Sequence, residues 1–471
     1  MGRQDGAYAS GLCEPFTGTS ETVREWPCGL FLCTAEFRIA NMGVRAVNVF
    51  ILVVLVLMYA GIIAMQDKKA WVSLGAGLVL VIGGATSASH AISSLINWNI
   101  LLIYLGSLVL AELFIYSRVP AFLAERIVER SPSVGVAVAI ILLLTGLVSA
   151  FVENVATVLL VAPVMIELAR RTKKNLAQLM IGLAVMANLQ GTATLIGDPP
   201  SMIFADFAHY SFNDFFFRAG RPSIFFAIQL ASIVGALYFF FYFRSMEGDG
   251  RSLPAERIVS WVPAGLLGLM IAGLAGLSAL SAGGGIHSAS GIFVVSLAGV
   301  GLGWLGWVRK ERAEARNMVR HLDWGTLAFL VGIFVVVGTV SESGLLDGLG
   351  IALAKWTGGS AALGFSLIIA FSVLVSGFVD NVPYIAAMLP VAAKFAATMG
   401  GRPELFMFGL LIGSCIGGNL TPFGASANIV AVSLSEKNGA KVNVWSWLKI
   451  AGSFTVLTTV AAGLFVWFVW R

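Results

Sequence analysis

The residues best suited to chemistry in this chain occur twice, at a fixed separation. Glu153-Asn154 sits in Phe151-Val152-Glu153-Asn154-Val155, and Asp380-Asn381 sits in Phe378-Val379-Asp380-Asn381-Val382. Gly191-Thr192-Ala193-Thr194-Leu195-Ile196-Gly197 returns more loosely as Gly418-Asn419-Leu420-Thr421-Pro422-Phe423-Gly424. The separation is 227 residues for Pro163 and Pro390 and for Thr194 and Thr421, and 226 for Trp98 and Trp324. Half the chain is therefore a diverged copy of the other half. Acids repeated inside apolar sequence are what secondary transporters use to build one site between two repeats.

A carboxylate at the bilayer centre costs about 2.5–3.5 kcal/mol even on insertion scales, so acids kept there point to a protein-lined ion or proton site. Glu153 and Asp380 are candidate coupling groups, and Asp198, in Gly197-Asp198-Pro199-Pro200, is a third. Carboxylates that converge in low dielectric cannot all stay ionised, which suits a proton acceptor. The neighbouring Asn154 and Asn381 can donate to an oxyanion and accept from a hydroxyl, and Thr157 and Tyr384 follow them. The plainer alternative is that the acids pair with asparagine and backbone groups only to fix a turn. Proline removes a donor and clashes with the preceding turn, so the helices carrying Pro199-Pro200 and Pro422 are each expected to be split. Splitting frees carbonyls, which suit Na⁺, and a positive helix end, which suits an anion; a kink needed only for packing is the alternative. The candidate binding set is Asn154, Thr157, Asn188, Thr194, Gly197, Asn381, Asn419, Thr421, Gly424 and Asn428, with Asn154, Gly197, Asn381 and Gly424 as candidate Na⁺ ligands.

The elements that must position these residues are helices in lipid. The chain is 58% hydrophobic and only 12% charged, against about 25% charged in soluble domains. Its continuous apolar runs exclude a barrel. They fall near 47-65, 70-89, 98-116, 134-152, 154-169, 178-208, 222-243, 258-281, 288-308, 323-341, 360-378, 381-396, 404-435 and 446-469. Runs 134-152 and 154-169 are separated only by Glu153-Asn154, and runs 360-378 and 381-396 only by Asp380-Asn381. Each pair reads as a re-entrant hairpin with its acidic tip near the midplane, or alternatively as one bent core helix. The expected fold is all-α, an inverted repeat of five crossings plus one hairpin each, ten crossings and two hairpins in total.

This reading divides the chain into a tail (1-45), a first repeat (46-244), a cytoplasmic linker (245-257) and a second repeat (258-471). A transport block, 134-208 and 360-437, would move against the remaining scaffold. The tail reads as unstructured, or as translated upstream of a true start at Met42. An external N-terminus places most of the 30 Lys and Arg inside, including Arg170, Arg171, Lys173, Lys174 and Arg316. Amphipathic stretches between 116 and 134 and near 345-357 are expected to lie at the interface. Glu112 is a weaker candidate relay. Cys13, Cys28, Cys33 and Cys415 lack metal-ligand spacing, no cofactor is implied beyond Na⁺, and no hydrolase or phosphate-loop motif is present. The chain does not read as an enzyme, and nothing in it suggests a nucleic-acid partner.

Phe151 to Pro163, Asn188 to Pro200 and Gly417 to Asn428 together resemble the ion transporter superfamily. The arsenite permease (ArsB/NhaD-like) and melanosomal P-protein branch is the most similar, related to citrate and divalent-anion:sodium symporters. The resemblance covers roughly 47 to 470. It implies an inverted-repeat fold with two hairpins, a homodimer through a scaffold domain, and elevator-type alternating access. The symporter branch carries Ser-Asn-Thr at both tips, where this chain has Glu153-Asn154-Val155 and Asp380-Asn381-Val382. Ser201 replaces the usual Asn after Gly-Asp-Pro-Pro, and Gln190 stands where Gly is usual.

The resulting expectation is a secondary transporter in the plasma (inner) membrane, moving a small anion or oxyacid coupled to H⁺ or Na⁺. Arsenite efflux, Na⁺/H⁺ exchange and a passive anion channel are the alternatives.

Overall fold

A computed structural model describes residues 28–172, 175–244, 257–281 and 286–471. Most of the expected tail, Lys173 and Lys174, and the linker up to residue 256 lie outside the described residues. The chain from Phe50 to Arg471 forms one compact unit, and it contains every candidate site residue.

Helical backbone begins earlier than the first apolar run. Helix α1 (Cys28–Ala64) starts inside the polar stretch that reads as unstructured. It is followed by α2 (Lys69–Ile82), α3 (Trp98–Tyr116) and α4 (Val119–Arg130). Next come α5 (Val134–Ser149), α6 (Asn154–Thr172), α7 (Leu176–Gly191), α8 (Pro199–Phe207) and α9 (Ile224–Phe243). The second half contains α10 (Val262–Ala279), α11 (Ser290–Gly303), α12 (Arg312–His321), α13 (Trp324–Glu342) and α14 (Asp347–Trp356). It ends with α15 (Ala361–Ser376), α16 (Asn381–Met399), α17 (Pro403–Gly417), α18 (Ser426–Lys437) and α19 (Ser453–Trp470).

The halves repeat helix by helix. Shifting α6 by 227 residues gives both ends of α16, and shifting α3 by 226 gives both ends of α13. The caps repeat too, because the polar residue that stops each apolar run is kept. Ser133 Oγ accepts from Val136 N and Ser360 Oγ from Leu363 N, both at 3.3 Å. Asn97 Oδ1 accepts from Ile100 N at 3.0 Å and Asp323 Oδ1 from Thr326 N at 2.9 Å. Such caps satisfy donors that helix ends leave open.

Packing crosses between the halves. The second half's α11 lies along α3, and the first half's α2 lies along α13. Small residues allow the close approach: a Cβ on Gly106 would lie 2.8 Å from Val294, and one on Gly332 would lie 2.4 Å from the Ser73 carbonyl carbon. Helices α5 and α15 pack on α7 and α17 respectively.

Among the described residues, nine helices are long and apolar enough to cross a membrane. Helices α2, α5, α7 and α15 are shorter apolar helices. The protein is an integral, multi-pass, largely helical membrane protein. The amphipathic stretches before α5 and α15 are helical as well, namely α4 and α14.

Candidate functional site

The two repeated acids, at the turns read as hairpin tips, use the same local chemistry. α6 and α16 start at the equivalent residues Asn154 and Asn381, and the acid before each caps its own first turn. Glu153 Oε2 accepts from Ala156 N at 2.9 Å, and Asp380 Oδ1 accepts from Val382 N at 3.1 Å. The open N–H groups of a helix start favour negative charge at that point.

Both long runs are broken where proline predicted it. α7 ends at Gly191 and α8 restarts at Pro199; α17 ends at Gly417 and α18 restarts at Ser426. Pro199 and Pro200 lie in the first turn, where a missing N–H is tolerated. The residue before each restart is extended, with φ −154° and ψ 148° at Asp198 and φ −143° and ψ 148° at Ala425.

The segments joining α7 to α8 and α17 to α18, the two crossovers, each fold tightly against the turn before α6 or α16. A Cβ on Gly197 would come within 2.4 Å of Gly191 O, and one on Gly424 within 2.6 Å of Gly418 O, so only glycine fits. Thr194 Oγ1 donates to Ala150 O, and Thr421 Oγ1 to Gly377 O. Ser149 Oγ donates to Ala187 O, and Ser376 Oγ to Ser414 O. Both pairs of contacts repeat at the 227-residue spacing.

A chain of amides joins the halves. Asn154 Nδ2 donates to Asn188 Oδ1 at 3.1 Å and to Asp198 Oδ2 at 3.3 Å. Asn188 Nδ2 donates to Asn419 Oδ1 at 3.0 Å and to Cys415 O at 3.1 Å. Asn419 is fixed in turn by Val185 O and by the indole of Trp447. Asn381, the equivalent of Asn154 in the second half, lines the same cavity as Asp198.

A cavity of about 180 Å³ brings Glu153, Asn154, Asp198, Asp380 and Asn381 together. The starts of α8 and α18 also reach it through Pro199 and Ser426. Glu112 and Asp323 add two more carboxylates, while Lys69 is the one lysine or arginine among its described lining residues. Such an excess of negative charge in a partly enclosed site requires protons or cations to balance it.

The remaining sequence candidates support this cavity from behind. Thr157 turns its hydroxyl back to Val152 O and Glu153 O. Thr194, Thr421, Gly197, Asn188 and Asn419 hold the crossovers and do not line the cavity. Gly424 lines a second cavity of about 200 Å³ together with Lys69 and Asp380. Asn428 Nδ2 donates to Gly418 O and Thr421 O, while its buried Oδ1 has no partner.

Lys69, Tyr104, Asp323, Thr326 and His321 line the cavity but are absent from the sequence candidates. Lys69 pairs with Asp380 across 311 residues of sequence at 2.7 Å. Asp323 had a usable signal, since it precedes Trp324 as Asn97 precedes the repeat-related Trp98. Among the described residues, no group of three or more His, Cys, Asp or Glu is arranged to hold a metal ion.

Broken helices facing each other across a polar cavity define a class of membrane transporter, and comparison with known proteins agrees. The citrate transporter family matches residues 53–400 and 291–471, and the chain belongs to that family. An uncharacterized transporter of Mycobacterium tuberculosis, Rv2685, is 29% identical over 440 residues, covering 90% of this chain and 98% of that protein. The human P protein is 24% identical over 438 residues, covering 76% of this chain and 52% of that protein. Among solved structures, the YdaH transporter of Alcanivorax borkumensis shares the fold with a TM-score of 0.57 at 16% identity, covering 83% of this chain and 87% of that one. MtrF of Neisseria gonorrhoeae aligns with a TM-score of 0.54 at 13% identity, covering 90% and 95%.

Proposed function

We propose that this protein is a secondary active transporter that couples movement of a small anion or oxyacid to H⁺ or Na⁺. One observation carries the reading: the two repeat-related acids, Glu153 and Asp380, line a single cavity with Asp198 between two broken helices. In this reading the acids take the coupling ion, while Asn154 and Asn381 hold substrate oxygens. The family's description makes citrate the first anion to test. An anion meets several carboxylates here, so it can enter only after cations have neutralised some of them.

The repeats are read as inverted, with α5–α6 and α15–α16 as re-entrant hairpins. The first opens to the cytoplasm and the second to the exterior of the plasma membrane. The block 134-208 and 360-437 then travels as an elevator against a dimeric scaffold. The amphipathic helices α4 and α14 adjoin the two hairpins and favour travel over local gating.

Na⁺/H⁺ exchange without an organic substrate is a second reading, favoured by the preponderance of carboxylates over lysine in the cavity. Proteoliposomes distinguish these readings. Citrate or arsenite accumulating against its own gradient under an imposed ΔpH or ΔNa⁺ supports substrate transport. Cation exchange alone supports the second reading, and passive equilibration of the anion would show a channel.

A further inference from the structure

The tips share their capping but not their neighbours. Asp380 Oδ2 lies 2.7 Å from Lys69 Nζ, whereas Glu153 has no lysine or arginine partner among the described residues. Lys69 does not belong to the hairpin whose acid it holds. It begins α2, which is fixed along α13 through Ser73, whose hydroxyl donates to Phe329 O at 3.2 Å. The Lys69 ammonium also lies 5.3 Å from the Phe329 ring centroid. Tyr59 of α1 adds a second tie by donating to Pro383 O, at the start of α16.

The ion pair occupies a strategic place. Lys69, Asp380, Ala425 and Ser426 are shared by the two cavities beside the crossover. Besides Asp380, the cavity that Lys69 lines holds the carboxylates of Asp323, before α13, and Asp198, before α8. An ammonium on a flexible stem is a compact point charge that can leave a carboxylate without rearranging the backbone.

We propose that Lys69 is a resident counter-cation, holding the place at Asp380 that Na⁺ takes during turnover. Na⁺ must displace the ammonium to bind, and the displacement releases the second tip from α2. Glu153 faces no such competitor, so the two tips differ in cation affinity although their sequences repeat. The proposal rests on the reading of the tips as coupling sites and adds the residue that sets the order in which they fill.

The test is a thermal-stability titration of the purified full-length protein with NaCl, using choline chloride to hold ionic strength constant. A cation that binds only the folded state raises the melting temperature according to its dissociation constant. Lys69→Met should respond to Na⁺ with a midpoint about tenfold lower than the wild type, a gain on the order of 1.4 kcal/mol. Lys69→Arg should keep the midpoint at or above that of the wild type, because a guanidinium holds a carboxylate at least as firmly, and Lys69→Met/Asp380→Asn should lose the low-midpoint response. If Lys69→Met gives no folded protein, Lys69→Gln serves in the same comparison. Equal midpoints in the wild type and the neutral variant, or no Na⁺ response in the neutral variant, would overturn the proposal. The coupling reading fails separately, if Glu153→Gln and Asp380→Asn both retain gradient-driven uptake in proteoliposomes.

Discussion

The first and second crossovers have nearly the same backbone and different electrostatics. Asp198 and Ala425 occupy equivalent positions, with ψ of 148° at both, yet only one carries a charge. The tips diverge in a complementary way, since Asp380 has Lys69 and Glu153 has no such partner. What repeats is what holds the chain in shape: the glycines, the serine and threonine bonds to carbonyls, and the caps. What differs is charge. Duplication supplied the scaffold, and later divergence made the two sides of the cavity unequal.

Packing shows the same separation. Gly146 faces Gln190 in the first half, where a Cβ would lie 2.9 Å from Gln190 Cγ. The equivalent pair in the second half is Val373 and Gly417, with a Cβ on Gly417 2.7 Å from the Val373 Cα. Small and large have changed places within one contact. This accounts for Gln190 where glycine is usual, and Gln190 gains a reciprocal amide pair with Gln229 at 2.9–3.1 Å.

The largest expected effect breaks what the halves share. Gly197→Ala and Gly424→Ala each drive a Cβ into a backbone carbonyl, and each should cost about 3 kcal/mol. Both should sharply lower the yield of monodisperse protein in gel filtration. Removing charge comes next. Glu153→Gln and Asp380→Asn should fold, yet lose gradient-driven uptake. Asp380→Asn should also melt lower than Glu153→Gln, because it leaves Lys69 without its nearest counter-charge. Equal melting temperatures would argue against unequal tips.

Two milder changes sharpen the comparison. Gly146→Val alone should destabilise by about 1–3 kcal/mol through overpacking. Adding Gln190→Gly should recover part of that loss, although Gln229 then lacks its partner. Strict additivity in a double-mutant cycle would refute the exchanged contact. The smallest effect concerns orientation. Arg316→Cys, on α12, in an otherwise cysteine-free chain should resist impermeant thiol reagents in intact cells while leaving uptake unchanged; ready labelling would invert the assigned topology.

The helical frame was legible because apolar runs and punctuation agree. Run 134-152 became Val134–Ser149, and run 381-396 became Asn381–Met399. The interrupted runs 178-208 and 404-435 broke beside their proline motifs. The cavity was legible in its repeated part, Glu153-Asn154 and Asp380-Asn381, together with Asp198. Thr157, Thr194 and Thr421 stand behind the cavity lining because a hydroxyl in an apolar helix finds the nearest carbonyl. Lys69 was illegible for another reason. It has no counterpart in the repeat, and its meaning comes only from Asp380, 311 residues away.

The most direct test of the account is gradient-driven uptake of citrate into proteoliposomes containing the wild type, Glu153→Gln or Asp380→Asn, under imposed ΔNa⁺ and ΔpH in turn. The account predicts accumulation above equilibrium by the wild type with at least one gradient, and equilibration at most with either variant. Accumulation by both variants with unchanged dependence on the driving cation would contradict it.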